Sequence, residues 1–313
     1  MRGYGLIKDL FFYIKNFGYN KAFKIRLYPM LLNALRGGTI ASYQNEEILK
    51  ILRKDMAEVI EKYKHLDFQQ NKIEKNAPIW VCWWQGELNM PPIIRECYKR
   101  LIENSNGHPV RLITEQNINK YFTPPQFIYE RLTNKEIGIT HFSDIIRVYL
   151  LKTYGGLWID AAMWTTSPIH IEGFSFYSLK QDIPNTSLIS KCRWVGGLMA
   201  AGKNSLIFSF IYDCFLVYWK KYSATIHYLF MDYLYVIAYE EFPIFKKQID
   251  EMPYRSPELH IMKRIFNDPY NKEQMDRLIR RNPFLSLTWK KQFVTQTNDE
   301  KQTFYGYFII NDK

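Results

Sequence analysis

The chain lacks any apolar run long enough to cross a bilayer. Its two most hydrophobic stretches, residues 206–219 and 229–239, contain Asp213 and Asp232 and fall short of the roughly 20 residues that a spanning helix needs. Cysteine is sparse: Cys82, Cys97, Cys192 and Cys214 have neither metal-type spacing nor the density of a disulfide scaffold, so four free thiols are expected. No glycine-rich phosphate loop with a basic residue follows the first apolar strand pattern, which counts against a nucleotidyltransferase. No Ser-His-Asp or Cys-His nucleophile arrangement can be read. The net charge of +11 is not accompanied by a nucleic-acid reader motif, so no nucleic-acid partner is expected. Internal repeats and low-complexity segments are missing too, as is a secretory signal, because no apolar core with a small-residue cleavage site follows the basic start.

Acidic residues are nearly missing from the first forty positions. Asp9 alone opposes Arg2, Lys8, Lys15, Lys21, Lys24, Arg26 and Arg36. The same segment holds Leu6, Ile7, Leu10, Phe11, Ile14 and Phe17 at helical spacing, with Gly18 as a break. A basic amphipathic helix of this kind suits an anionic membrane surface, and it equally suits packing on the rest of the chain with its lysines solvated.

What the chain does have is material for a large core. Hydrophobic residues make up 47% of 313, enough for one large α/β domain with an appendage or for two modest ones. Aromatics reach 17%, which suits sugar faces and membrane interfaces, though A·T-rich coding yields the same excess. Residues 5–35 read as two helices and 46–64 as a third. Strands are predicted at 79–84, 110–113, 174–179 and 194–200, with helices at 91–104, 126–132, 204–222 and 226–241 and looser helical pieces over 244–281. Strands alternating with helices predict a mainly parallel sheet covered on both faces. The expected organisation is a helical N-terminal region, 1–75, followed by one α/β domain, 76–313.

The densest signal lies at 140–160. Ser143 is placed to cap a helix that carries Asp144 and Arg147 three apart, hence on one face, with Ile145, Val148 and Leu151 apolar. Gly155 and Gly156 stop the helix. Leu157, Trp158 and Ile159 then form a short buried strand that ends on Asp160. Ligands of open α/β sheets bind beyond the carboxyl ends of strands, which is where both Asp160 and the run Trp84, Gln85, Gly86 fall.

This ordered set resembles the capsular polysaccharide synthesis glycosyltransferases, relatives of the Och1-like and toxin-type sugar transferases with the Rossmann-like GT-A fold. Ser143, Asp144 and Arg147 match their helix motif, Tyr154, Gly155 and Gly156 their turn, and Asp160 the first carboxylate of their D-x-D strand end. Residues 80–86 resemble their first strand and loop, and 287–290 their C-terminal segment, so the likeness spans roughly 76–292. One departure is plain: Ala162 stands where the motif has its second Asp. In the GT-A superfamily the two carboxylates jointly hold Mn²⁺ or Mg²⁺, and hard cations want several oxygen ligands. The resemblance therefore implies a divalent cation on Asp160, a role that Ala162 puts in question.

The resemblance also implies roles. The donor would be a nucleotide sugar, UDP-linked first of all, and the acceptor a growing cell-surface polysaccharide or lipid-linked oligosaccharide at the cytoplasmic membrane face, with retention of configuration. Asp144, Arg147 and Asp160 form the expected catalytic set, with Arg147 forking to a diphosphate oxygen or sugar hydroxyl. Trp84, Gln85, Gly86, Gly156 and Lys290 complete the donor-binding set, Trp84 by stacking on the base. Trp289, His227 and Asp232 are weaker candidates, the last two equally explained by capping and packing. The turn at 194–199 suits either an acceptor contact or a tight strand entry. Asp160→Asn or Arg147→Ala is expected to stop transfer and spare the fold. A non-catalytic scaffold or sugar-binding subunit of a polysaccharide assembly complex is the rival reading, favoured by Ala162.

Overall fold

The computed structural model describes residues 2–66, 71–181 and 188–310, with side chains from 7 to 309, so Arg2 and Leu6 of the amphipathic start lie outside the described side chains. Among the described residues there are seven strands: β1 (Ile79–Cys82), β2 (Val110–Ile113), β3 (Gly156–Ile159), β4 (Met163–Thr165), β5 (Phe176–Ser178), β6 (Leu198–Ala201) and β7 (Phe284–Ser286). Five of them build the main sheet in the order β2-β1-β3-β6-β5. β1 pairs in parallel with β2 and β3, whereas β6 runs antiparallel to both β3 and β5. β4 and β7, neither anticipated as strands, form a separate antiparallel pair.

Both faces of the sheet are covered, and the alternation of side chains shows how. Trp80, Trp158 and Met199 point into the cluster made by the helices Ile139–Thr153, Leu206–Lys221 and Phe230–Glu241. Val81, Leu157, Ile159, Leu198 and Ala200 point the opposite way, into a second cluster with Leu101, Ile171 and Leu259. The fold is thus the mixed α/β architecture expected, with a mostly parallel central sheet and a helical region before it.

The first sixty-odd residues are not a separate body. Tyr13, Phe17, Ile48, Leu52 and Tyr63 share one apolar cluster with Phe210, Tyr218 and Phe230. The Tyr13 hydroxyl donates to the Ile226 carbonyl at 2.9 Å, and Lys62 pairs with Asp213 at 2.7 Å. Arg53 bridges to both Glu240 and Glu241. Gly18, at φ +81°, breaks the first helix after Phe17 as expected. A π-helical turn, Phe23–Leu27, then precedes Tyr28–Arg36, because Pro29 has no N–H to close an ordinary α-turn onto Ile25. The helix expected at 46–64 is two, Ile40–Asp55 and Ala57–Lys64, divided at Met56.

One local expectation fails. Ser143 does not cap the motif helix, which begins four residues earlier after Gly138. Ile139 and Phe142 extend the apolar stripe, so the helix continues upstream, and the Ser143 hydroxyl donates back to the Thr140 carbonyl at 2.6 Å. The glycine stop holds: the helix ends at Thr153, with Gly155 at φ +67° and Gly156 at φ +93°.

Candidate active site

Asp160 leaves the carboxyl end of β3 with its side chain 48% exposed, whereas Arg147 behind it is only 6% exposed. The sheet accounts for both positions. Strand β3 is buried along its whole length, and the Asp160 amide donates to the Gly197 carbonyl at 2.8 Å, extending the β3–β6 ladder by one residue. The carboxylate thereby emerges at the rim while its helix partner stays inside.

A compact charged network holds it there. Arg147 Nη2 reaches Asp160 Oδ1 at 3.0 Å and Asp144 Oδ1 at 3.4 Å, while Nη1 donates to the Gly196 carbonyl. The guanidinium lies 4.9 Å from the centre of the Trp158 ring. Trp158 Nε1 donates to the same Asp160 oxygen at 2.8 Å. Burial opposes the charge on Arg147, but Asp160 and Asp144 outweigh it and raise its pKa. His141 Nδ1 stands 3.6 Å from Asp144 Oδ2 on the preceding turn. The expected cluster of Asp144, Arg147 and Asp160 is therefore one ion-paired unit.

Its geometry changes the reading of Arg147. Both of its Nη atoms are engaged with protein oxygens, so its fork orients Asp160 rather than opening onto a ligand. Removing it would take the counter-charge from Asp144 as well as from the half-exposed Asp160, so Arg147→Ala is expected to cost stability as well as turnover.

Two glycines missed as site residues make the arrangement possible. A Cβ on Gly197 would stand 2.6 Å from Asp160 Oδ2, and one on Gly196 would lie 3.6 Å from Arg147 Nη1. The double glycine before β6 thus leaves room for the carboxylate. Trp194 beside it donates through Nε1 to Asp232 Oδ1 at 2.8 Å. Burial pushes the Asp232 carboxyl up to about 6, with the Asp144 charge adding to it and Trp194 and Arg147 opposing. Asp232 thus belongs to the electrostatic surroundings of the network. His227 does not: its Nδ1 accepts the Leu229 amide at 3.1 Å, its ring packs on Tyr233, and burial with the Arg26 charge keeps it neutral.

In front of Asp160 lies a cleft of about 370 Å³, lined by Ala162, Gly197, Tyr228, His260, Lys263 and Lys290 among others. Lys263 was invisible in the sequence as a site residue because it returns to the cleft on a four-residue helix, Met262–Ile265, a hundred positions after Asp160. Burial lowers its pKa, the Asp160 charge raises it and Lys291 lowers it again. It stands 3.3 Å from His260 Nδ1, and burial together with that ammonium pulls His260 down to about 4. His260 is therefore neutral, with Nδ1 accepting and its proton on Nε2. Trp289 and Lys290 reach the same cleft from the segment after β7, and Trp83 rather than Trp84 packs edge-on against Trp289 at 5.3 Å.

Trp84 opens on a neighbouring cleft of about 390 Å³, shared with Glu115, Ile118, Pro124, Tyr129 and Phe142. Its carbonyl accepts the Glu115 amide at 3.0 Å, which ties the carboxyl ends of β1 and β2 together. Gln85 is exposed, and Gly86 at φ +86° makes the turn that follows. Gly156 is not at this edge. It begins β3, at the far end from Asp160, where a Cβ would meet the Pro78 carbonyl at 2.0 Å; its role is close strand packing. Burial and the nearby Asp160 charge push the Cys82 thiol up to about 12, so it is no nucleophile at neutral pH.

Comparison with known proteins adds three findings. Over a stretch of 102 residues the chain is 28% identical to O-glycosyltransferase braB of Annulohypoxylon truncatum, covering 29% of this chain and 24% of that protein's length. The solved PaToxG Glycosyltransferase overlaps 75% of this chain and 96% of its own at 16% identity, with a TM-score of 0.41. The family described as "Capsular polysaccharide synthesis protein" matches residues 30–308, the cleft and its charged network included, and the chain belongs to that family.

Proposed function

We propose that this chain is a GT-A-type glycosyltransferase that moves a hexose from a nucleotide sugar, UDP-linked, to a growing cell-surface polysaccharide or lipid-linked oligosaccharide, with retention. The observation that carries the reading is Asp160, half exposed at a strand end and held by Arg147 and Trp158 over a cleft lined with lysines. In this reading residues 76–313 carry the chemistry. The Trp84 cleft takes the base, since an aromatic face stacks on any nucleobase and the two clefts sit on the same sheet edge.

The reaction breaks the anomeric C–O bond to the nucleotide diphosphate and forms one from the same carbon to an acceptor hydroxyl oxygen, whose proton passes to the departing phosphate, so charge builds on that phosphate as the bond breaks. Lys263 and Lys290, both lining the Asp160 cleft, stabilise it electrostatically. Asp160 orients the sugar, and the salt bridge from Arg147 fixes that carboxylate in advance.

The residues present do not make a resident metal cage. Ala162 lines the cleft without offering an oxygen, and Asp160 Oδ1 already accepts two N–H groups. Among the described residues no three His, Cys, Asp or Glu side chains gather as a metal site. A Mn²⁺ or Mg²⁺ carried in by the donor diphosphate fits, with Asp160 Oδ2 as its protein ligand and the diphosphate and water supplying the rest. Such an ion would act as a Lewis acid on the leaving diphosphate.

The test is hydrolysis and transfer across a panel of nucleotide sugars. Asp160→Asn is expected to lose turnover while still folding cooperatively, with the amide oxygen left to accept from Arg147 and Trp158, and full activity in that variant would overturn the proposal. Ala162 favours one rival, a sugar-binding scaffold without catalysis. Calorimetry with UDP, with and without Mn²⁺, separates the two: absence of nucleotide binding in both supports the scaffold.

A further inference from the structure

The N-terminal helices bury one face in the common core and leave the other without cover. Among the described residues, nine of the 21 exposed large apolar side chains fall between residues 7 and 40, a concentration unlike the scattered singles elsewhere. Ile7 (54% exposed) and Phe11 (67%) recur at i, i+4 on the outer side of Arg2–Phe17, while Tyr13 and Phe17 of the same helix are buried. Leu31 (52%) and Leu35 (80%) repeat that spacing on Tyr28–Arg36, where Leu32 is buried. Charge follows the same division. Lys15, Lys24 and Arg36 are exposed, and Asp9, the single acid before position 40, is held by Arg26 at 2.7 Å. The exposed apolar side chains are thus bordered by positive charge, and the one negative charge is already paired.

We infer that this face docks on an anionic membrane surface, with Phe11, Leu31 and Leu35 entering the headgroup layer and the basic side chains meeting lipid phosphates. Charge complementarity selects that occupant. A second copy of the chain, related by a twofold axis, would bring two copies of the same positively charged patch together, a like-charge arrangement that is costly. A bilayer rich in acidic lipid supplies apolar depth and negative charge at once. Among the described residues no helix is long and apolar enough to span the membrane, so the contact is with the surface. The inference does not rest on the glycosyltransferase reading, because it uses none of the cleft residues.

The test is sedimentation of the full chain with phosphatidylcholine vesicles, with and without phosphatidylglycerol. Binding is expected only where phosphatidylglycerol is present, weakening as salt is raised. The variant F11S/L31S/L35S should lose affinity by roughly tenfold per side chain removed. Lys15→Glu with Lys24→Glu should abolish the preference for acidic lipid. Because these side chains are exposed, unfolding midpoints and UDP binding should match the parent's, which separates loss of docking from loss of fold. Three results would overturn the inference: no sedimentation with acidic vesicles, equal binding to both vesicle types, or unaltered binding by the serine variant. A concentration-dependent dimer that Leu35→Ser converts to monomer would assign the face to a second copy and overturn it as well.

Discussion

Substituting Gly197 by Ala adds one methyl group against the central carboxylate and nothing else. Gly197 does not occupy the left-handed region, so alanine is allowed there by the backbone. The new Cβ would stand 2.6 Å from Asp160 Oδ2 and 3.0 Å from its Cγ, where ordinary contact begins near 3.4 Å. The carboxylate must therefore retreat, but its other oxygen is tied to Trp158 at 2.8 Å and Arg147 at 3.0 Å. Because the side chain is half exposed, it has solvent to move into, and the stability cost should stay near about 1 kcal/mol, the low end for an added methyl. Displacing a reacting group by about 1 Å, in contrast, costs on the order of 100-fold in rate. Gly196→Ala is the control, since its Cβ meets the flexible end of Met231 at 3.3 Å and should leave turnover close to the parent's. Donor hydrolysis and thermal unfolding, measured on both variants, decide the matter. Parent-level turnover in Gly197→Ala, or equal losses in both, would refute the reasoning.

Three further outcomes are expected. Arg147→Ala should lower stability by about 1–3 kcal/mol in denaturant unfolding, because Asp144 loses its counter-charge while the half-exposed Asp160 stays hydrated; an unchanged unfolding free energy would contradict the network. Asp232→Asn keeps an oxygen for Trp194 while removing a carboxyl whose folded pKa of about 6 lies above its ordinary 3.8. Between those values the native state binds the extra proton, so parent stability falls as pH rises through the window. The variant should match the parent at low pH and exceed it by about 1–3 kcal/mol once the carboxyl would be ionised; a pH-independent difference would argue against it. Trp158→Phe removes one of the two N–H groups on Asp160 Oδ1 and leaves a void where the indole is buried, at a stability cost of about 2–3 kcal/mol. Its turnover should fall even at temperatures where the variant is fully folded, and parent-level turnover under those conditions would show that the indole serves packing alone.

How much of this was readable beforehand depends on how local each interaction is. Asp144, Arg147, the glycine stop and Asp160 lie within one helix-turn-strand unit, and their spacing along it translates directly into shared faces and a shared edge. The same holds for the break at Gly18. Ser143 misled because a serine followed at once by an acidic residue has the look of a helix start, whereas the apolar stripe begins earlier, at Ile139. The partners that complete the site are of another kind. Gly197 meets Asp160 only through the β3–β6 register, in which Ile159 pairs with Leu198. Lys263 and His260 arrive from the far side of two long helices, so no period along the chain announces them. Gly156 shows the opposite error: adjacent to a functional motif, it serves the approach of β3 to Pro78 instead.

The reversed direction of β6 divides the cleft between two kinds of support. Residues 144–160 tether the negative centre, while Val195, Ser286 and Thr288 line the same space from distant stretches of chain. Their side chains can be exchanged without removing either N–H group that holds Asp160 Oδ1, so the wall of the cleft can be recut while its charged floor keeps its position.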